Sequence, residues 1–271
     1  MSRHSATPVT MKEAEIPDAV VAALRSARRV LAVTGAGISA DSGLPTYRGI
    51  GGLYDNDLTE DGLAIEDALS GHMMRTRPAL CWKYIHQIES ACRGARHNAG
   101  HAALAAMQHR YERFTVLTQN IDGFHRAAGS QDLIEIHGNV HELYCTACGA
   151  ERRVANYAGM SIPPACASCG ALERSRVVLF GEMLPEPALE RLYQVLGQGV
   201  DLVLSIGTTS VFPYIAGPVV QAARAGIPTV EINPGTTEVS GSVRYRIRER
   251  AAVVLPELLR RLEAASVLSR K

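Results

Sequence analysis

The sequence predicts a doubly wound α/β fold, a mainly parallel sheet between helices, with a smaller lobe attached. Three observations support this. Short apolar runs recur along the 271 residues, helix-like segments alternate with them, and a glycine-rich turn follows the first run. A chain of this length holds one large domain, or one domain with a sizeable insertion. Its formal net charge of +1 argues against nucleic acid held by bulk electrostatics.

Residues 1–16 read as a flexible tail, and 17–271 as the folded domain. The tail lacks the apolar stretch of a secretory signal, so a cytoplasmic location is the default. A transit peptide is the weaker reading, because Glu13 and Glu15 interrupt the basic residues. No run approaches the ~20 apolar residues of a membrane span.

Pro17 stands at a helix start, followed by apolar residues at helical spacing and a basic last turn. Val30–Thr34 is then a continuous apolar run, suited to a strand buried on both faces. Phe114–Thr118, Val177–Phe180, Leu202–Ile206 and Thr229–Ile232 repeat the pattern. Between them lie helical segments such as NAGHAALAAMQHR and PALERLYQVLGQ, and PYIAGPVVQAARAG with a kink or boundary at Pro218. LPELLRRLEAA reads as a closing helix. Two regions break the alternation: a helical insertion at about 50–97, and a cysteine-bearing module at about 141–176. Together they read as the smaller lobe. The arginines at 244, 246, 248 and 250 form a solvated basic face or a surface for an acidic partner.

Cys145-x2-Cys148 and Cys166-x2-Cys169 stand seventeen residues apart. Two such turns present four thiolates to one tetrahedral ion, the spacing of a zinc ribbon. Four sulfur ligands leave no open position, so a zinc there is structural. Cys81 and Cys92 read as idle thiols.

Gly35-Ala36-Gly37-Ile38-Ser39-Ala40 has the G-x-G-x-x-A form that lets a backbone approach a pyrophosphate, which makes the sheet Rossmann-like. A dehydrogenase would want a second strand ending in an acid ~20 residues on, and YDNDLTEDG has no strand before it. Gln119, Asn120 and Asp122 fall at a strand's carboxyl end, where amides and a carboxylate suit ribose and a carboxamide. Asp122 equally suits a helix cap. His137 is either a structural imidazole or a base near a cleft. Gly207, Thr208, Thr209 and Asn233 close two further strand ends.

GAGISADSGLPTYRG, TQNIDGFHRAAG, IHGN, the four-cysteine module, VVLFGE, GTTS and EIN, in this order, resemble the sirtuins, NAD-dependent protein-lysine deacylases. The resemblance runs from about residue 17 to 262. It implies that NAD is a co-substrate bound by Gly35, Ala36, Gly37, Ser39, Tyr47, Arg48, Gln119, Asn120, Ile121, Asp122, Gly207, Thr208, Thr209, Asn233 and Ala251. Tyr47 replaces the phenylalanine more usual in the family, and with Arg48 it would close over the nicotinamide end. Asn120 and Asp122 would hold the nicotinamide as it leaves, and His137 would be the general base on the ribose hydroxyls. The products implied are free lysine, nicotinamide and O-acyl-ADP-ribose.

The resemblance also implies that Val178, Phe180 and Gly181 pair with an acyl-lysine peptide along its backbone. Relatives preferring succinyl or malonyl groups carry a Tyr-x-x-Arg pattern, and the nearest equivalent here is Tyr84 to Gln87. A neutral amide cannot make the charge-assisted contact a carboxylate favours, so removal of acetyl or another uncharged acyl group is expected. Arg93 or Arg96 is a possible substitute for the missing arginine, and Tyr84 has an equal reading as a core residue. Protein ADP-ribosyl transfer, a deacylase for acidic or longer acyl chains, and a non-catalytic NAD-sensing scaffold are the rival readings; the presence of His137 counts against the last.

Overall fold

The computed structural model describes residues 15–44 and 58–268, with side chains to residue 264. Its large layer is a parallel sheet of six strands: β1 (Arg29–Thr34), β2 (Arg113–Thr118), β3 (Leu133–Glu135), β7 (Leu202–Ile206), β8 (Thr229–Ile232) and β9 (Tyr245–Ile247). They lie in the order β3-β2-β1-β7-β8-β9, and every neighbouring pair is parallel. The chain thus winds outward from β1 in one direction, then returns to wind outward in the other. The switch point falls between β1 and β7.

The continuous apolar runs explain the burial. Alternate residues of one strand face opposite helix layers, so both faces must be apolar. Val30, Ala32, Phe114 and Val116 pack with α1 (Asp18–Ser26), α5 (Ala99–Gln108) and α9 (Ala251–Leu268). Leu31, Val33 and Leu117 pack on the other face with α7 (Glu186–Gly197) and α8 (Pro213–Arg224).

The smaller lobe joins two separate stretches. One is helical: α2 (Ile65–Ala68), α3 (Gly71–Thr76) and α4 (Pro78–Cys92). The other is a three-stranded antiparallel sheet of β4 (Glu142–Cys145), β5 (Glu151–Arg153) and β6 (Glu173–Ser175), in the order β5-β4-β6. Trp82 links them: its indole N–H donates to Glu173 O at 3.0 Å and its ring packs 5.5 Å from that of Tyr157. Between the two stretches the chain runs through the main domain by α5, β2, the short α6 (Phe124–Ala127) and β3.

Several expectations change. Val177–Phe180 is extended but joins neither sheet; Val178 N–H donates to His137 O and Phe180 N–H to Leu69 O. Pro218 is buried inside α8 without ending it, and the closing helix starts at Ala251, earlier than the leucine pattern suggests. The arginine-rich stretch is not simply a solvated face. It contains edge strand β9, with Arg246 Nε donating to buried Glu231 at 2.8 Å and Arg250 donating to Asp41 at 2.7 Å. Among the described residues no helix is long and apolar enough to cross a membrane.

Candidate functional site

The site is built where β1, β2, β7 and β8 end. Gly35 N–H donates to Ile206 O at 3.1 Å, and Gly37 N–H to Gly207 O at 2.7 Å. A Cβ on Gly37 would fall 2.7 Å from Gly207 Cα, so these two turns touch only because both residues lack side chains. Ala36 opens the 3-10 turn between them. The contact lies at the switch point, outside the carboxyl ends of the strands, where open α/β sheets bind ligands.

Behind it, three of the expected residues form one hydrogen-bonded chain. Asn120 Nδ2 donates to Gly35 O at 3.1 Å and to Ser39 Oγ at 3.2 Å. Ser39 Oγ donates to Asp122 Oδ2 at 2.7 Å. Asp122 Oδ1 accepts from Phe124 N–H at 2.9 Å, so the carboxylate caps the α6 turn and holds Ser39 at once. Burial pushes the Asp122 carboxyl above its usual range, opposed by those two donors. Ile121, also buried, anchors the turn through its carbonyl, which accepts from Val140 N–H.

His101 was not singled out in the sequence, yet it completes this chain. Asn98 N–H donates to its Nδ1, which leaves Nε2–H to donate to Ser39 Oγ at 3.3 Å. Burial brings its pKa down to about 4, so it is neutral and the tautomer is fixed. Asn98 and His101 stand three apart at the start of α5, a capping-box spacing visible in the sequence. Its reach to Ser39 is tertiary and was not.

Gln119 connects the two sides of the cleft. Its side-chain amide donates to Thr208 Oγ1 at 2.7 Å, and its carbonyl accepts from His137 Nδ1 at 3.0 Å. Thr208 Oγ1 also accepts from Ser210 N–H, and Thr208 O accepts from Asn233 Nδ2 at 3.1 Å. Thr209 is exposed beside them, and Ala251 is buried in the core under the first loop, in one cluster with Ile38. Tyr47 and Arg48 lie outside the described residues.

His137 stands where the cleft meets the smaller lobe. Its carbonyl accepts from Val178 N–H at 2.9 Å, so the extended segment 177–181 runs directly past it. The side chains of Phe180 on this segment and of Met183 just beyond it are 40% and 88% exposed apolar surface. Burial lowers the His137 pKa, partly offset by the Gln119 carbonyl. The imidazole is therefore neutral at neutral pH, with Nδ1 donating to Gln119 O and the lone pair on Nε2, which accepts from the Tyr214 hydroxyl at 2.7 Å.

Tyr84 and Gln87 lie on α4, in the smaller lobe. The Tyr84 ring is buried in the smaller lobe's core, and its hydroxyl donates to Asp61 at 2.5 Å. Gln87 donates to Glu60 at 2.9 Å, and Arg93 is held by Glu89. Of the two readings of Tyr84, the core one describes its environment; the hydroxyl needs a partner there, and Asp61 supplies it.

The four cysteines come together as one group, all sulfurs within 4.8 Å of each other. Cys145 and Cys169 sulfurs are 3.4 Å apart, Cys148 and Cys166 sulfurs 3.7 Å. A tetrahedron with ~2.3 Å zinc–sulfur bonds has edges of about 3.8 Å, so the set fits the ion. Both knuckles are built alike: Gly149 N–H donates to Cys145 O, and Gly170 N–H to Cys166 O. Backbone N–H groups of Cys148 and Ala147 point at the Cys145 sulfur and bring that thiol down to about 6.

A strand-end cleft of this kind with a four-cysteine lobe defines a nucleotide-binding α/β protein carrying a module whose geometry fits a structural zinc. The profile of the Sir2 family matches residues 35–213, and the chain belongs to that family. It is 53% identical over 247 residues to NAD-dependent protein deacylase 2 of Pseudomonas aeruginosa, covering 90% of this chain and 96% of that one. It is 36% identical over 230 residues to the NAD-dependent protein deacylase of Aquifex aeolicus, covering 84% and 93%. Among solved structures, a Sir2 homologue–NAD complex matches with a TM-score of 0.82 at 30% identity, covering 93% and 96%. A Sir2 protein with deacetylated p53 peptide and 3′-O-acetyl ADP ribose matches with a TM-score of 0.78 at 27% identity, covering 92% and 97%.

Proposed function

We propose that this chain is an NAD-dependent protein-lysine deacylase, with acetyl-lysine proteins or peptides as substrates. The observation that carries the reading is the position of His137, whose ring is fixed by the strand-end network and whose carbonyl holds segment 177–181. One residue thus connects the nucleotide cleft to the peptide-binding edge.

In this reading the touching turns at Gly37 and Gly207 receive the pyrophosphate, and Gln119, Thr208 and Asn233 fix their shape. Asn120 and Asp122, immobilised through Ser39, orient the nicotinamide for departure as the acyl oxygen attacks the ribose carbon. His137, neutral and with its lone pair on Nε2, then takes the ribose proton that starts acyl transfer. The four cysteines would hold zinc, which supplies no chemistry but fixes the lobe carrying the peptide edge. Rate should fall as pH drops through the lowered His137 pKa, because the protonated imidazole cannot accept.

The acyl preference follows from α4. There Tyr84 donates to Asp61 and Gln87 to Glu60, and Lys83 pairs with both carboxylates. Among the described residues no guanidinium pairs with Tyr84 or Gln87 there. Acetyl- and succinyl-lysine versions of one peptide, compared with NAD at equal concentration, should show the acetyl form turning over faster by about tenfold or more. A faster succinyl reaction overturns this preference, and no peptide-dependent nicotinamide release with either overturns the function.

A further inference from the structure

His137 does not face the cleft with a bare nitrogen. Its Nε2 is 2.7 Å from the Tyr214 hydroxyl. Because Nδ1 donates to the Gln119 carbonyl, Nε2 carries the lone pair, and the Tyr214 O–H donates to it. An imidazole nitrogen has one in-plane lone pair. A ribose hydroxyl bound beside His137 must displace the tyrosine or pass its proton through it.

The surroundings favour passage. The Tyr214 ring is stacked on Phe212, with centroids 5.4 Å apart and planes 13° from parallel. Both rings meet the His137 ring edge-on, each at 5.8 Å. The turn that delivers them is anchored to the cleft, since Ser210 N–H donates to Thr208 Oγ1, the same oxygen Gln119 holds. Ser210 has φ 57°, a left-handed conformation costly for a non-glycine residue and kept only where the surroundings impose it. Burial raises the Tyr214 pKa to about 12, so the phenol stays neutral and keeps its proton to give.

We propose that Tyr214 is a second proton-handling residue, and that His137 reaches the ribose through its hydroxyl. This rests on the deacylase reading and on His137 as base. In the step, the ribose O–H bond breaks and its proton goes to the phenol oxygen as the phenol's own proton goes to Nε2. The phenol ends neutral, the imidazole ends protonated, and the ribose oxygen attacks the acyl carbon. The relay also explains why a tyrosine occupies this position while Phe212, its stacked neighbour, stays 39% exposed without a polar partner.

The test compares wild type, Tyr214→Phe, and His137→Ala at saturating NAD and acetyl-lysine peptide. Two rates are read: O-acetyl-ADP-ribose formation, and exchange of labelled nicotinamide into NAD, which needs only the step before the base acts. Tyr214→Phe keeps the ring stack and removes only the hydroxyl. It should slow product formation by about tenfold or more while exchange stays within about twofold. Rate against deuterium fraction of the solvent should be bowed for wild type, as two protons move together, and linear for the variant. Product formation unchanged or faster in Tyr214→Phe overturns the relay, since the hydroxyl would then only occupy Nε2. Exchange and product falling together also overturns it, as a structural effect. If His137→Ala still forms product, the base assignment itself fails, independently of Tyr214.

Discussion

A Gly138→Ala protein is expected to lose both stability and activity, out of proportion to one methyl group. Gly138 has φ 77°, and a Cβ there would fall 1.7 Å from the Arg176 carbonyl oxygen. That atom is backbone and cannot rotate away. Either the turn after His137 or the segment after β6 must move, which breaks the Val178-to-His137 hydrogen bond. The combined strain and lost pairing should cost about 3 kcal/mol or more, lowering the melting midpoint by roughly 6 °C or more. Deacylation should fall further than stability alone explains, because in the proposed reading this contact registers the peptide edge to the base. Gly129→Ala separates the two causes. Its φ is 97° but no atom lies within 4 Å of its added Cβ. That variant carries only the backbone term, about 1–2 kcal/mol. Equal melting points for the two variants would refute the close approach.

Removal of zinc should unfold the smaller lobe. The stretch from β4 to β6 buries few side chains, chiefly Leu143 and Tyr157, and structural zinc in comparable modules contributes about 10–16 kcal/mol of apparent binding energy. The protein carries a built-in reporter. Trp82 is its single tryptophan, fully buried against Tyr157 and hydrogen-bonded to Glu173 in the zinc-bearing stretch. A strong chelator, or Cys166→Ser, should release about one zinc per chain, shift the Trp82 emission to the red and abolish deacylation. Cys92→Ser lies outside the cluster and should retain the metal. Zinc loss with unchanged Trp82 emission would mean that the lobe holds itself.

The sheet was legible because burial on both faces leaves a signature in each central strand: Val30–Val33 and Leu202–Leu204 are apolar and fully buried. The edge strands β3 and β9 carry no such run. They are three residues long and partly exposed, so their sequence is not constrained in the same way. Val177–Phe180 has the apolar run but not the sheet. Its Val178 and Phe180 N–H groups donate to the His137 and Leu69 carbonyls, distant in sequence, and periodicity does not encode such partners.

The site divides similarly. Cys145, Cys148, Cys166 and Cys169 could be read from spacing because two local turns set the metal geometry. Gly37, Asn120, Asp122 and His137 could be read because each follows a strand. Tyr214 and His101 could not, since their role depends on which nitrogen of one histidine and which oxygen of Ser39 they meet. Tyr84 admitted two readings from the sequence, a substrate contact and a core residue. A tyrosine near an expected subsite also fits a core, and here Asp61 satisfies its hydroxyl.

The most direct test of the account follows the ADP-ribose. With NAD labelled in the adenylate part and an acetyl-lysine peptide, mass spectrometry would locate the label after complete reaction. One O-acetyl-ADP-ribose is expected for each nicotinamide released and each lysine freed, with no label on protein. Label bound to protein, or nicotinamide released at the same rate without peptide, would contradict it and assign the cleft to ADP-ribosyl transfer or NAD hydrolysis.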